Sequence, residues 1–155
     1  MKTRAILLGL VAVLAVAVVS FAADDPNMGT WKLNEAKSKL AAGATKNGTV
    51  AYEAAGDSIK VTIDGMTADG KAVHSEWTGR FDGKDYPVTG DATSDTRSYK
   101  RINAHTLSFA AKKGDKVTLS GKIAVSADGK TRTVTATGTD AKGTKVTSTA
   151  VYDKQ

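Results

Sequence analysis

Apolar and polar residues alternate with a period of two along most of the chain beyond Thr30, and Asp/Gly clusters punctuate the alternation. Ser58-Ile59-Lys60-Val61-Thr62-Ile63 alternates without a break and ends in Asp64-Gly65. In the next run Val73, Ser75, Trp77, Gly79 and Phe81 share one face, while His74, Glu76, Thr78 and Arg80 share the other. Val117, Leu119, Gly121, Ile123 and Val125 alternate with Thr118, Ser120, Lys122 and Ala124 ahead of Asp128-Gly129. Further strands are predicted at Thr30–Asn34, Thr49–Ala55, Tyr86–Thr89, Arg97–Ile102, Thr106–Lys112, Thr131–Thr139 and Thr144–Tyr152. Asp-Gly suits the connections because both residues tolerate the positive φ of tight hairpin turns. Only Glu35–Leu40 reads as a helix, with Asn34 as its cap and Ala41-Ala42-Gly43 as its stop.

The pattern predicts an all-β domain. Its loops are too short for the crossovers that parallel strands need, so the sheet is antiparallel. An up-and-down meander of about ten strands leaves two costly edges unless it closes, and a barrel with one short helix after the first strand is the expectation. With the more apolar face turned inward, the interior receives Val50, Tyr52, Ile59, Val61, Ile63, Val73, Trp77, Phe81, Leu107, Phe109, Val117, Leu119, Ile123, Val125, Val146 and Tyr152. Small residues share that face: Ala54, Ser75, Gly79, Ala111, Gly121, Ser148 and Ala150. Two interiors fit this list. Ten strands lined partly by small residues leave a hollow, whereas a flattened barrel fills the gap with Val, Leu and Phe.

Ahead of the alternating region the chain begins Met1-Lys2-Thr3-Arg4, runs apolar from Ala5 to Val19 and exits through Ser20-Phe21-Ala22-Ala23. A basic start, a short apolar run and a small-residue exit predict a secretory signal peptide at 1–22, cleaved after Ala22, and a single domain at 23–155. The apolar run is shorter than the roughly 20 residues of a comfortable bilayer span, so no stable membrane span is expected after cleavage. With no cysteine, the exported domain must be held by its core alone.

Gly29-Thr30-Trp31-Lys32-Leu33-Asn34 opens the expected domain and Ser148-Thr149-Ala150-Val151-Tyr152-Asp153-Lys154 closes it. The opening Gly-x-Trp resembles the first strand of lipocalins, and the ending is similar to the Thr-Arg-x-Tyr-Glu-Lys close of intracellular fatty-acid-binding proteins. Asp95-Thr96-Arg97-Ser98-Tyr99-Lys100 adds a looser likeness. The resemblance to this calycin superfamily spans most of the domain by architecture but only about a dozen residues by motif. It implies a barrel with a lipophilic interior, as in small exported lipocalin-like proteins of bacteria.

The carboxylate site of fatty-acid-binding proteins does not carry over. Ala150 stands where that family has an Arg two residues before its closing Tyr, and Ile123-Ala124-Val125 precedes the late Asp-Gly turn where it has another. The lid between the first two strands is also shortened. In lipocalins a late-strand Arg packs on the opening Trp, and the resemblance assigns that barrel-closing pair to Trp31 and Arg132, a stack worth roughly 0.5–2 kcal/mol. Otherwise Trp31 is a core aromatic and Arg132 a solvated strand residue.

Composition narrows the chemistry. Two histidines and no cysteine leave little for zinc, thiolate or most histidine-based catalysis. His74 and Glu76 lie two apart on one strand face, but it is the face opposite Trp77 and is expected to be solvated. The loop aspartates follow no calcium-binding pattern, and no nucleophile motif is present, so neither an enzyme nor a cofactor or metal is expected. The net charge of +6 is uneven: residues 23–95 carry eight basic and twelve acidic side chains, residues 96–155 twelve and four. That split predicts a barrel with an acidic and a basic side, not a nucleic-acid binder.

Two functions follow. One is a monomeric periplasmic or secreted barrel that binds a small hydrophobic or amphipathic molecule among Tyr52, Val61, Trp77, Phe81, Phe109, Leu119 and Tyr152. The other is a ligand-free module whose basic outer surface meets an anionic envelope.

Overall fold

The computed structural model describes residues 25–140 and 142–155; the expected signal peptide at 1–22 lies outside them. Ten strands follow in chain order: β1 (Gly29–Leu33), β2 (Lys46–Ala55), β3 (Ser58–Met66), β4 (Ala72–Gly79), β5 (Tyr86–Thr89), β6 (Thr96–Asn103), β7 (Thr106–Lys113), β8 (Lys116–Val125), β9 (Thr131–Thr139) and β10 (Lys145–Lys154). Each pairs antiparallel with its sequence neighbours, and β1 pairs with β10 through Trp31–Lys154 and Leu33–Tyr152, so the meander closes into a barrel. Closure removes the edges that an open ten-stranded sheet would expose.

The weakest stretch of wall is at β5. It pairs with β4 only at Glu76–Thr89 and Trp77–Val88, and with β6 only at Tyr86–Arg97 and Pro87–Thr96. Pro87 has no N–H to give a ladder, which suits so short a strand.

The short helix expected after the first strand is present but does not reach Leu40. Only a 3₁₀ turn at Glu35–Lys37 forms, with the Asn34 side chain accepting from the Lys37 N–H at 3.2 Å. It stops because β10 claims the next residues. Val151 N–H donates to Ser38 Oγ at 2.9 Å, and Lys39 and Thr149 exchange backbone bonds of 2.7 and 2.8 Å. The chain then passes as a strap, Leu40–Thr45, to the start of β2.

One end of the barrel is packed solid. Trp31 and Leu107 are fully buried, and Val61 and Trp77 are 1% exposed. Trp77 meets Tyr99 and Tyr86 edge-on at 4.8 and 5.7 Å between ring centroids, and its indole N–H donates to the Arg97 carbonyl at 2.8 Å. Gly79 is obligatory here, since a Cβ would lie 2.6 Å from both the Trp77 and Tyr86 rings. Below Trp31 the chain entry acts as a plug. Trp31 Nε1 donates to the Asn27 carbonyl at 3.0 Å, and Asp25 pairs with Arg101.

Because the strands keep chain order around the barrel, the acidic and basic stretches occupy different sides of the wall. Two of the large residues expected inside, Val117 and Leu119, are exposed, Leu119 at 38%. Val117, at the far end of the β7–β8 hairpin, is 48% exposed, because the hairpin extends past the covered part of the barrel and its register shifts at Ala111/Lys112.

Candidate functional site

The barrel is hollow toward the end where the odd-numbered strands finish. A cavity of about 580 Å³ opens there, walled by Leu33, Val50, Ile63, Val73, Phe109, Ile123, Val134 and Val146 among others, with the Leu40–Thr45 strap and Gly90–Thr93 at its mouth. Space exists because several inward positions hold small residues: Ser75, Ala136, Gly138, Ser148 and Ala150 all line it. Where aromatic residues occupy the equivalent parity at the other end, the strands close over filled volume.

The residues expected to line a pocket divide between these two regions. Tyr52, Phe109, Leu119 and Tyr152 are on the cavity wall. Val61, Trp77 and Phe81 do not line it: Val61 and Trp77 belong to the packed end, and Phe81 lies against Tyr52 and Tyr99 with Arg101 over its face at 5.1 Å. Their inward parity is as expected. Their position along the barrel axis puts them below the hollow.

The floor is polar. Arg132, the second residue of β9, is 2% exposed and lines the cavity. Its guanidinium carbon lies 5.3 Å from the Trp31 ring centroid, 5.0 Å from Tyr52 and 4.8 Å from Tyr152, so three aromatic faces surround one cation. The stack on Trp31 is present, and Arg132 is not a solvated strand residue. Lys154 covers the same indole at 5.2 Å.

A second guanidinium stands higher on the wall. Arg97 Nη2 donates to Asp91 Oδ2 at 2.9 Å, and both side chains are largely buried, at 11% and 16% exposure. Burial would lower the Arg97 pKa, but Tyr99, Asp91 and Tyr52 outweigh it and hold the guanidinium charged. Burial would likewise raise Asp91, yet hydrogen bonds from Ser94 and Thr93 and the charge of Arg97 keep its carboxyl below the ordinary range. This pair is internally satisfied.

Three phenols gather around the two arginines. Burial pushes the Tyr52 hydroxyl well above its ordinary pKa despite the opposing charge of Arg132, and burial raises Tyr152 in the same way. Both therefore stay protonated at neutral pH and present O–H donors. Sequence reasoning missed Arg97, Asp91, Tyr99 and the strap as parts of the site. The available signal was parity: Arg97 and Tyr99 lie two apart on one strand face.

On the outside of the barrel His74 and Glu76 are solvent-facing. His74 Nδ1 lies 2.6 Å from Asp64 Oδ1, and Glu76 pairs with Lys60 at 2.7 Å. These contacts form a surface charge ladder across β3 and β4.

No protein-family model matches the chain, and no curated protein matches it in sequence. Solved structures similar to it include EF1p2_mFAP2b bound to DFHBI, at 11% identity and a TM-score of 0.47 over 84% of this chain and 94% of that one. Another is a redesigned β-barrel, mFAP1, bound to DFHBI, at 12% identity and 0.44 over 83% and 95%. At these scores neither likeness bears on what the cavity holds.

Proposed function

We propose that this protein is a small exported barrel that takes up a hydrophobic or amphipathic molecule in its interior and performs no chemistry on it. The observation that carries the reading is the open cavity of about 580 Å³, apolar along its walls and polar at its floor. That volume falls within the ~300–1,000 Å³ typical of small-molecule pockets, which combine apolar walls with a few convergent polar groups. The alternative of a ligand-free module with a basic outer surface would need no hollow, and a filled interior would serve it better. Export is part of the proposal and rests on the basic, apolar and small-residue order of residues 1–22.

The test is organic extraction of gently purified mature protein followed by mass spectrometry, together with displacement of a polarity-sensitive dye by fatty acids, sterols, quinones and isoprenoids. We expect a stoichiometric co-purifying lipid, or displacement by at least one class, and loss of both in Ala136→Phe, which fills the hollow. A folded protein that binds nothing in the panel and yields no extractable molecule overturns the reading. Fractionation of cells producing the full chain tests export separately: the expected product is a species shortened by the signal peptide outside the cytoplasm.

A further inference from the structure

Among the described residues the charge of Arg132 meets three aromatic faces but no carboxylate. Its Nε and Nη1 are buried without a hydrogen-bond partner, and among the described residues no carboxylate pairs with it. The acids on the cavity wall are occupied elsewhere. Asp91 is held by Arg97, Ser94 and Thr93. Asp140 accepts from the Lys142 and Thr144 backbone N–H groups in its own turn. A guanidinium does not escape burial by losing its proton, because it is too weak an acid to be deprotonated in a protein.

The three aromatic faces offset only part of the cost of taking an ion out of water. A buried cation at the bottom of an open apolar hollow, flanked by two protonated phenols, is therefore a site short of one anion. The wall above it is uncharged until the satisfied Arg97–Asp91 pair near the mouth. Size and polarity together select the ligand: an apolar body for the hollow and a single compact acid for the floor.

We propose that the molecule carried is a monoanionic amphiphile, a carboxylic acid, bound head-down with its carboxylate on Arg132 and the Tyr52 and Tyr152 hydroxyls and its apolar body along Phe109 and Val134. The proposal rests on the reading of the cavity as a binding site. It adds a direction of entry, since the acid must lead, and it assigns Arg132 a part in binding as well as in closing the barrel.

The experiment compares dodecanoate, its methyl ester and dodecanol on the wild-type mature protein by calorimetry at pH 7 and again at pH 4. A charge-assisted hydrogen bond contributes about 1.5–3 kcal/mol, so the acid is expected to bind about tenfold or more tighter than either neutral analogue at pH 7. The preference should shrink at pH 4 as the ligand's carboxyl takes up its proton. Arg132→Met should bring acid and ester to within about threefold of each other while the ester still binds. Tyr152→Phe, which leaves the charge and the Trp31 stack in place, should cut the preference by a smaller factor and keeps the test alive if Arg132→Met does not fold. Equal binding of acid and ester by the wild type overturns this inference alone. Absence of binding by all three amphiphiles overturns it and, if the wider panel also fails, the binding reading with it.

Discussion

At the packed end of the barrel the inward residues are Trp31, Val61, Trp77 and Leu107, all exposed by 1% or less; at the open end the same alternation turns Ser75, Ala136, Gly138, Ser148 and Ala150 inward around a hollow. The strands are continuous between the two regions, with the same antiparallel ladders and the same parity. Side-chain volume differs, and the chain entry plugs the packed end alone. The barrel is divided along its axis: aromatic packing at one end supplies cohesion, and the other end is left hollow. Tyr52, Tyr99 and Arg132 form the boundary, each buried and each also lining the cavity.

Deleting volume at each end separates the two regions most clearly. Trp77→Ala should cost about 3–5 kcal/mol, the range for removing a buried aromatic side chain, read as a lowered urea midpoint. Val134→Ala on the cavity wall should cost only about 1 kcal/mol, because its side chain already borders empty space. Similar losses at the two sites would mean that the open end is as tightly packed as the closed one. Adding volume gives the complementary contrast. Gly79→Ala should destabilise by about 1–3 kcal/mol because its Cβ meets two rings, whereas Ala136→Leu, directed into the hollow, should be neutral or stabilising in a thermal melt.

The Arg97–Asp91 pair sharpens the boundary itself. Arg97→Met leaves a largely buried carboxylate alone and should cost about 3 kcal/mol at pH 7, the low end for a broken buried pair; the added Asp91→Asn should recover much of it. The Asp91 carboxyl is held below its ordinary pKa in the folded state, so its contribution is present above the ordinary carboxylate range and is lost as pH falls through the depressed value. Asp91→Asn should therefore flatten the acid limb of a stability–pH profile.

The smallest effect lies on the outer wall. The hydrogen bond to Asp64 raises the His74 pKa, against an opposing effect of desolvation and with help from the charges of Asp64 and Glu76. A raised imidazole contributes stability that is fully present below its ordinary value of about 6.5 and fades as pH rises through the elevated one. His74→Gln should remove that slope just above pH 6.5 and change the melting temperature little, because the ladder is solvent-exposed. A proton NMR titration giving an ordinary or lowered His74 midpoint would contradict the contact.

The strands were legible because their signals are local. Val117–Val125 and Thr131–Thr139 are predicted within a residue of β8 and β9, since alternation and Asp-Gly turns are written into consecutive residues. The helix ends short of Leu40 for a reason that is not local: Asn34 caps as expected, but Ser38 and Lys39 pair with β10, more than a hundred residues away, and backbone groups taken by a strand cannot continue a helix. Parity told that Val61, Trp77 and Phe81 face inward, yet parity repeats every two residues and carries no information about height along the barrel. Arg97 was passed over because an arginine on a strand is ordinarily solvated; its burial depends on Asp91, brought to it by the loop after β5.

The order of the strands, their antiparallel sense and the face each residue shows were determined by the sequence alone, because alternation and turn chemistry act between neighbours. Whether the meander enclosed a hollow or collapsed on itself was decided by the tertiary structure, since that depends on which small residues from β4, β9 and β10 come to lie opposite one another. The same is true of Arg132. Its place near the end of the chain and opposite Trp31 could be read from a motif, but its burial among three aromatic rings, facing a cavity and without an acid, arises only when β1, β2, β9 and β10 close around it.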